Sequence, residues 1–532
     1  THPERSAAVA SANMDVVVSS FVALLFIALL SLLLFATSRK GSPSSRDGRR
    51  LPPSPPGLPL LGHLPLLGSL PHRKLRSMAA SCGPVMLLYM GRVPTVVASS
   101  AAAAQEIMKT RDLAFASRPR VRMAERLLYG RDVGFVPYGE HWRQARRVCV
   151  LHLLSQRRVQ AFRHVREQEA AAMVGRVRGA GAGAVVNLSA LMISYTNSVI
   201  SRAAFGDDGR YRLHDGESLA KLFADFEGLL GTVTMGEFVP WLAWVDTLTG
   251  LDAKVTRTAL EMDAFLERVI ADHRERRRGG HREGGEDHRD FVDVLLDVNE
   301  AEKEAGGVLF DSIAIKGVIM DMFSAATDTT QTVLVWAMAE LINHPQEMRR
   351  VQVEIRAAVG DGNHVTEDHL GELRYLRCVI KETFRLHTPL PLLLPRETMV
   401  DTEMLGYHVP ARSRVVVNAW AIARDPMTWE HAEEFVPERF ARDDLTVDYL
   451  LTGQDFRFVP FGAGRRGCPA VGFAVPKMEL ALASLLYHFD WELPPGPGGG
   501  TPKQLETDEL NGLSVRLKAT LQLVAKPWCH RQ

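Results

Sequence analysis

The chain has 532 residues, 46% of them hydrophobic, and 63 Lys and Arg residues against 62 Asp and Glu residues give a net charge of +1. This hydrophobic content is ample for a large core. The near-neutral charge excludes the basic footprint of a nucleic-acid-binding protein. Five widely spaced cysteines without a Cys-x-x-Cys fit neither a disulfide framework nor a zinc site, and they favour a reducing compartment.

The N-terminal segment predicts a membrane anchor. Residues 16–37 are uncharged and strongly apolar, and about 20 such residues span a bilayer. A cleaved signal peptide is the alternative, but no clear small-residue cleavage site follows the long apolar run. The basic residues that come next favour a cytosolic position for the rest of the chain. We therefore expect residues 1–15 to be a luminal lead or the product of upstream translation, 16–37 a transmembrane helix, 38–60 a basic and Pro-rich hinge, and 61–532 one catalytic domain.

The elements predicted after the hinge are mostly helices. Val85–Met90 and residues 95–98 are typical of short strands, helices dominate 101–387, and 406–417 mixes loop and strand. Residues 274–289, rich in Arg, Gly, Glu and His, predict an exposed loop between helices. The pattern predicts a mainly α protein with a small β-rich region, an α+β fold class.

The stretch Phe461-Gly-Ala-Gly-Arg-Arg-Gly-Cys468-Pro is the most informative in the chain. A thiolate is the metal-binding form of Cys, and positive charge or a helix N-terminus must stabilise it. Pro469 suits a first helical turn, and the apolar run 471–489 predicts the helix, so Cys468 would lie at a positive dipole end. Arg466 could bind a carboxylate with its guanidinium fork. A lone Cys is more often a small buried apolar residue, so the surrounding motif has to decide.

This Phe-x-x-Gly-x-Arg-x-Cys pattern resembles the haem-binding loop of the cytochromes P450. The resemblance implies that Cys468 is the axial ligand of haem b iron, with Phe461 and Arg466 beside the cofactor. Gly464 and Gly467 would let the backbone pass close to a bulky group.

Two further motifs match the same family. Glu382 and Arg385 fit its Glu-x-x-Arg and share a helix face; an isolated match would be a surface ion pair worth under about 1 kcal/mol. The Pro-Glu-Arg-Phe element supplies Arg439, which the resemblance places in a buried cluster with the first two. Removing one member of such a structural cluster would strand a buried charge.

The apolar run 319–342 predicts a long buried helix. Its Ala-Ala-Thr-Asp-Thr stretch resembles the oxygen-activating groove of the family, where Asp328 and Thr329 would relay protons and Ala325 and Ala326 would leave room for a diatomic ligand. Taken alone, Asp-Thr-Thr is more often a solvated helix turn.

Two alanines depart from the family pattern. The family usually has Gly at the position of Ala470 and often has Gly at the position of Ala326. Since Ala is the next smallest residue, we expect a close approach of helix and porphyrin and a slightly narrower groove.

A cationic rim for two haem propionates is the fourth implication of the resemblance. Trp142 and Arg146 match the Trp-x-x-x-Arg helix of the family and face one way, and Arg396 follows the Glu-x-x-Arg helix by one loop. Indole N–H and guanidinium groups can donate to propionates. Without the family, Trp142 would be a core residue and Arg146 a solvated one.

The motifs cover the chain from about residue 52 to its C-terminal end and look most like the membrane-bound plant enzymes of the 71 clan. The resemblance implies the P450 fold around one haem and a monooxygenase that uses dioxygen to hydroxylate a hydrophobic small molecule, a plant secondary metabolite. No Gly-x-Gly-x-x-Gly nucleotide fingerprint occurs, so NADPH would act indirectly, through NADPH-cytochrome P450 reductase. Cytochrome b5 and membrane lipid are further expected partners, nucleic acid is not, and the expected location is the endoplasmic reticulum membrane, with a single pass and the catalytic domain facing the cytosol.

Residues around the expected haem predict a substrate pocket and a partner surface. The segments expected to line the pocket are 120–136, 218–240, 320–329, 388–394 and 510–515, which are mostly apolar and favour a hydrophobic ligand. Thr388 could add a polar contact. Arg143, Arg147 and Lys477 flank the expected proximal side and could meet an acidic electron donor.

Three alternatives remain open. A P450 of the isomerase or dehydratase type would use the haem without dioxygen, but such relatives typically lose the hydroxyl that Thr329 supplies. A non-catalytic haem-binding protein would have a dead groove, against which Asp328 and Thr329 argue. The third is a membrane-anchored protein without haem.

Overall fold

The computed structural model describes residues 48–206, 211, 217–279, 289–304, 310–360, 362–441, 454–495 and 504–528. The expected lead and anchor, residues 1–37, lie outside these ranges, as do 280–288 within the predicted exposed loop. Among the helices inside them, none is both long enough and apolar enough to cross a bilayer.

Helices make up most of the described chain. The α-helices are α1 (Pro71–Cys82), α2 (Ala101–Gln105), α3 (Arg122–Leu127), α4 (Glu140–Val148), α5 (Gln156–Ala161), α6 (Arg163–Gly179), α7 (Leu188–Phe205), α8 (Glu217–Leu230), α9 (Met235–Phe238), α10 (Ala243–Leu248), α11 (Leu251–Arg278), α12 (Phe291–Glu304), α13 (Ser312–Asn343), α14 (Pro345–Val359), α15 (Arg374–Leu386), α16 (Ala419–Ile422) and α17 (Val471–His488). Short 3-10 helices include Pro437–Phe440 and Gly464–Arg466.

Strands form four small sheets. They are β1 (Val85–Met90), β2 (Val93–Ala98), β3 (Val185–Asn187), β4 (Arg396–Glu397), β5 (Thr402–Met404), β6 (Tyr407–Val409), β7 (Arg414–Val417), β8 (Phe489–Glu492), β9 (Glu509–Leu510), β10 (Arg516–Leu517) and β11 (Gln522–Pro527). The largest sheet has the order β1-β2-β7-β4, in which β2 and β7 are parallel and the other pairs antiparallel. The others are β3-β11-β8 and the pairs β5-β6 and β9-β10.

The predicted mainly α protein with a small β-rich region is confirmed. One large apolar cluster joins the helices, and two smaller clusters cover the faces of the four-stranded sheet. Helix α13 is the centre of the large cluster, packed against α7, α15 and α17. Asp311 caps it by accepting from the Ala314 N–H at 2.8 Å. The long buried helix expected from residues 319–342 therefore begins about two turns earlier.

Three local predictions differ from the structure. β2 begins at Val93 rather than at residue 95 because a tight turn at Gly91, with φ of 59°, pairs Val93 directly with Met90. Helix α11 continues through Arg278 into the predicted 274–289 loop, and the three arginines of its last turn suit the negative end of the helix dipole. The Pro-rich stretch packs on β1, since the Leu87 N–H donates to the carbonyl of Pro53 at 2.9 Å.

Glu382, Arg385 and Arg439 form a buried ionic cluster in the structure. Arg385 donates to both carboxylate oxygens of Glu382, at 2.7 and 2.8 Å, and Arg439 Nε donates to one of them at 3.0 Å. Backbone carbonyls take the remaining guanidinium hydrogens, among them those of Ala423 and Ala432. Since every charged atom has a partner, the cluster joins α15 to the irregular segment that precedes the Cys468 loop.

We predict that Glu382→Ala lowers the free energy of unfolding by about 3–5 kcal/mol, because two guanidinium groups then stay buried without a counter-charge. Chemical denaturation of the purified protein measures the change. Glu492→Gln is the control: its ion pair with Lys526 is about half exposed on both sides, so its loss should cost under about 1 kcal/mol. Equal effects of the two substitutions would contradict the structural role of the cluster.

Candidate active site

Cys468 lies in a loop that is fixed at both ends. Its backbone N–H donates to the carbonyl of Phe461 at 2.9 Å, and α17 begins three residues later at Val471. Of the four cysteines in the described chain, only Cys468 is exposed, and the space it faces is an internal cavity that it lines. The sulfur is therefore presented to this cavity.

Opposing effects act on the Cys468 thiol. Burial raises its pKa, and the Ala470 N–H and the Arg146 guanidinium lower it. The helix N-terminus and positive charge expected from the sequence are present, but burial outweighs them. A metal cation supplies the missing stabilisation when it binds, because a coordinating thiol is deprotonated outright.

Gly464, one of the glycines of the loop, has a different reason from the one expected. Gly464 adopts a φ of 68°, and a Cβ there would lie 2.2 Å from the Met108 carbonyl oxygen and 2.7 Å from Asp112 Oδ1. Its small size thus serves close packing of the loop on the chain itself. Ala470 has a φ of −99° and a ψ of 16°, which Ala adopts without strain, so its departure from the family pattern does not disturb the backbone.

Four arginines line one part of the cavity: Arg118, Arg146, Arg396 and Arg466. Arg396 donates to Asp112 Oδ1 at 3.1 Å, while Arg466 donates to backbone carbonyls, including that of Val136 at 2.8 Å. Burial and the neighbouring Arg396 lower the pKa of Arg466 to about 9. This part of the cavity therefore carries more positive charge than the protein neutralises.

Arg118 is the rim residue that sequence reasoning missed. It is buried, its guanidinium donates to the carbonyls of Gly134, Leu394 and Pro395, and burial and Arg466 lower its pKa well below the usual range. No sequence signal separates it from the nearby Arg120.

Trp142 and Phe461 line the same cavity with their rings. The Trp142 Nε1–H donates to the carbonyl of Val133 at 3.1 Å, and the guanidinium of Arg466 lies 4.3 Å from the indole centroid. Trp142 thus supports the rim through Arg466, and its direct propionate contact stays a prediction. Phe461 packs on Phe384 with centroids 5.0 Å apart.

One stripe of α13 faces the cavity. Between Ala314 and Leu341 of α13, every residue is buried except Asp321, Ala325, Ala326 and Thr329, and all four line the cavity. Their spacing of four, five and eight residues places them on one helix face. Thr329 Oγ1 donates to the carbonyl of Ala325 at 2.6 Å, so the hydroxyl lies beside the alanines that were expected to leave space.

Asp328 points away from this stripe. Its side chain is 1% exposed, accepts a hydrogen bond from Ser514 Oγ and lies 3.8 Å from Arg516 Nε. Burial, together with the charge of Asp328, raises the pKa of Glu227 to about 8. Asp328 and Thr329 are therefore adjacent in sequence, but Thr329 faces the cavity and Asp328 faces away from it. The sequence did not predict the partners of Asp328.

Each of the five predicted segments contributes to the cavity wall. Representative residues from these segments are Phe135, Leu230, Met322, Leu393 and Leu513, and helices outside them add Ile200, Phe291 and Phe473. The expected polar contact from Thr388 is wrong, because its hydroxyl is buried and donates to the carbonyl of Phe384 at 2.7 Å. A Thr at the end of a helix readily bonds to the preceding turn.

These residues fit a haem. The sulfur that faces the cavity is a soft ligand for iron. The arginines, whose charge the protein does not fully neutralise, suit propionates. The small side chains of Ala325 and Ala326 on the stripe of α13 leave space beside the hydroxyl of Thr329. Among the described lining residues, Asp321 is the only carboxylate, against four arginines and Lys477. The cavity thus favours an anionic group that bears a metal.

The sequence profile of the family "Cytochrome P450" matches residues 52–518. The chain belongs to the cytochrome P450 family. It is a P450 monooxygenase with haem as its cofactor, and a thiolate-ligated haem supplies the activation of dioxygen.

Plant relatives confirm the resemblance to the 71 clan. Cytochrome P450 71A1 of Persea americana is 47% identical over 468 residues, 87% of this chain and 91% of that protein. Norfluorocurarine oxidase of Strychnos sp is 43% identical over 92% of this chain and 95% of its own. Phenylacetaldehyde oxime monooxygenase CYP71AN24 of Prunus mume is 41% identical, with 93% of each chain covered. A zebrafish cytochrome P450 structure with abiraterone has the same fold, with a TM-score of 0.71, 24% identity, and coverage of 87% of this chain and all of that one.

Lys477 corrects one of the surface predictions. Its side chain is 0% exposed, its Nζ donates to the carbonyl of Ala326 at 2.8 Å, and it forms no ion pair with any described carboxylate. Burial, with a further effect of Arg166, lowers its pKa to about 7. Lys477 therefore cannot meet an electron donor, whereas Arg143 and Arg147 are exposed.

We predict that Lys477 makes stability depend on pH above neutrality. The unfolded lysine keeps its proton up to its ordinary pKa of 10.5, while the folded one releases it near 7. The unfolded state therefore binds more protons between these values, and the free energy of unfolding rises with pH by up to about 1.4 kcal/mol per pH unit.

Lys477→Met should remove this rise and be more stable than the wild type at pH 7. Urea denaturation at pH 7 and at about pH 9 measures the difference. The exposed Lys109→Met is the matched control and should keep the wild-type slope. A slope that persists in Lys477→Met would show that another group causes it.

Proposed function

We propose that this monooxygenase hydroxylates a hydrophobic small molecule, a plant secondary metabolite, with electrons that an NADPH-dependent reductase delivers. The observation that carries the proposal is one apolar cavity in which the Cys468 sulfur and the Thr329 hydroxyl are both exposed. Leu390, Leu393 and Leu394 supply an aliphatic wall that excludes water and orients a ligand by shape. The relatives named norfluorocurarine oxidase and phenylacetaldehyde oxime monooxygenase support an oxidised plant metabolite as substrate.

Cys468 has the role of iron ligand in this proposal. Arg146, Arg396 and Arg466, together with Arg118, would bind the propionates and fix the orientation of the cofactor. The Glu382 cluster and the packing of Gly464 hold the loop that presents the sulfur. In this proposal the protein contributes binding, orientation and electrostatics, and the cofactor contributes the chemistry.

Thr329 and Asp328 have the role of proton delivery. Thr329 Oγ1 lies on the cavity-facing stripe and can pass a proton into the cavity, since a hydroxyl both donates and accepts. Asp328 faces away from the cavity and lies next to the partly exposed Arg516. Solvent around Arg516 can reprotonate Asp328. A haem-using isomerase or dehydratase would need no hydroxyl on this stripe, so the position of Thr329 favours a reaction with dioxygen.

The membrane and partner assignments belong to the same proposal. The apolar residues 16–37 would anchor the enzyme in the endoplasmic reticulum membrane by a single pass, with the catalytic domain in the cytosol. Exposed Arg143 and Arg147 on α4, the helix that also carries Trp142, suit an acidic surface of NADPH-cytochrome P450 reductase or cytochrome b5. Salt above physiological strength would then slow electron transfer.

The role of Cys468 is tested by Cys468→Ser. We predict that the absorption band of the reduced, CO-bound thiolate haem disappears and that NADPH-dependent turnover with added reductase is lost, because a neutral hydroxyl gives iron no comparable electron density. Cys149→Ser is the control, since Cys149 is buried and does not line the cavity. An unchanged spectrum and unchanged turnover in Cys468→Ser would refute the assignment.

The role of Thr329 is tested by Thr329→Val. Loss of the hydroxyl should reduce the rate of product formation by about 10²-fold or more, the usual scale for one proton-transfer group, while less product and more peroxide form per NADPH. Thr327→Val is the matched control: this hydroxyl is buried without a hydrogen-bond partner among the described residues, so coupling should be retained. Equal coupling in both variants would remove Thr329 from the mechanism.

A further inference from the structure

Lys477 is the one cation of the described cavity wall that lies outside the arginine rim. It belongs to α17, nine residues after Cys468, and so lies on the helix whose N-terminus adjoins the sulfur. Its side chain is 0% exposed. Because protein rather than bulk water surrounds it, a charge at this position acts strongly on a group bound in the cavity.

The amine of Lys477 is held against α13. Its Nζ donates to the carbonyl of Ala326 at 2.8 Å and lies 5.8 Å from the ring centroid of Phe473. The Tyr195 hydroxyl donates to the carbonyl of Lys477 itself at 3.0 Å, which fixes the backbone of α17 at this point. A neutral amine also carries hydrogens, so it keeps the bond to Ala326 after it loses its proton. Protonation therefore changes the charge at this position while the contacts stay the same.

The charge of Lys477 has no counter-ion in the described chain. The one described charge that acts on it is the Arg166 guanidinium of α6, which both carboxylate oxygens of Glu367 bind. Tyr195 of α7 stays neutral, since burial raises its pKa. Asp328 of α13 faces away from the cavity. Burial, with the smaller effect of Arg166, lowers the pKa of Lys477 to about 7, so this amine titrates within the working range of the enzyme.

We propose that Lys477 tunes the reduction of the bound haem: its positive charge favours the ferrous over the ferric state, and its amine takes up a proton when the reductase delivers an electron. The inference rests on the role proposed for Cys468 and adds a control of the electron step. One electron enters from the reductase and one proton from solvent, so the net charge of the buried region does not change. Because such couplings are reciprocal, the amine holds its proton more tightly when the haem is reduced.

This coupling sets the pH dependence of reduction. Below the pKa of Lys477 the amine is charged in both states, and the midpoint potential stays level with pH. Above it, the amine gains a proton with each electron, and the potential falls by up to about 59 mV per pH unit, which is a ten-fold change in equilibrium constant for one electron. Reduction is therefore favoured on the acidic side of neutrality.

Spectroelectrochemical titration of the haem-loaded enzyme between about pH 6 and about pH 9 tests the proposal. We expect Lys477→Met and Lys477→Gln to lower the equilibrium constant for reduction about ten-fold at the acidic end, or the midpoint potential by about 59 mV, and to remove most of its fall with pH. Propionates that titrate at the arginine rim affect all these proteins equally. Ser484→Ala is the control, a buried substitution on α17 that changes no charge, and it should behave like the wild type.

Lys477→Gln separates charge from hydrogen bonding, because its amide can still donate to the carbonyl of Ala326. A wild-type potential and slope in this variant would overturn the proposal. Proton uptake during reduction, followed with an indicator dye in weakly buffered solution on the alkaline side of neutrality, gives a second measurement. The wild type should take up more protons per electron than either variant, and equal uptake would also overturn the proposal. Should both variants fail to bind haem, the wild type decides: no uptake overturns the proposal, and uptake of close to a full proton per electron supports it.

The proposed function is tested apart from this inference. A reduced, CO-bound wild type without the thiolate band, or without NADPH-dependent turnover, would contradict the role of Cys468. A normal band and normal turnover, with a potential that Lys477 does not affect, would contradict only the inference drawn from Lys477.

Discussion

A thiolate ligand has to face the cavity from a loop that its neighbours hold in place, and the rest of this protein depends on that constraint. The Cys468 loop carries no regular secondary structure except one 3-10 turn, so its rigidity comes from its surroundings. Gly464 packs directly on Met108 and Asp112, and the N-terminus of α17 fixes the far end. The Glu382 cluster holds the segment before it. The packing of Gly464 on Met108 and the pair of Glu382 with Arg439 join residues that are distant in the sequence.

Charges of both signs line the cavity. The arginines around Arg466 occupy one part, and Asp321 stands alone on the stripe of α13. Backbone carbonyls, rather than acids, take most of the hydrogens of Arg118 and Arg466, which orients the guanidinium groups and leaves their charge available. The excess of positive charge lets this small space hold an anionic cofactor.

The sequence predicted the features that depend on local pattern. Cys468, Glu382 with Arg385, and Thr329 are set by motifs of a few residues. Periodicity indicated which stretches form helices and strands, although it misplaced the starts of β2 and α13. It could not predict Lys477 correctly: α17 is apolar on nearly every face, so periodicity does not tell which positions meet solvent. In the structure this lysine is enclosed between α17 and α13. Arg118 and Ser514 were missed because their partners come from segments more than a hundred residues away, apart from Gly134.

The crowding of positive charge around Arg118, Arg396 and Arg466 has a consequence for how the polypeptide matures. Without a neutralising anion, repulsion among these desolvated guanidinium groups opposes closure of this region. Besides burial, Arg466 and Arg396 lower the pKa of Arg118, and Arg396 lowers the pKa of Arg466. Chain collapse and capture of the tetrapyrrole should therefore be coupled during biosynthesis. A cell short of iron or of porphyrin precursors should accumulate little of this protein, however strongly its messenger is translated.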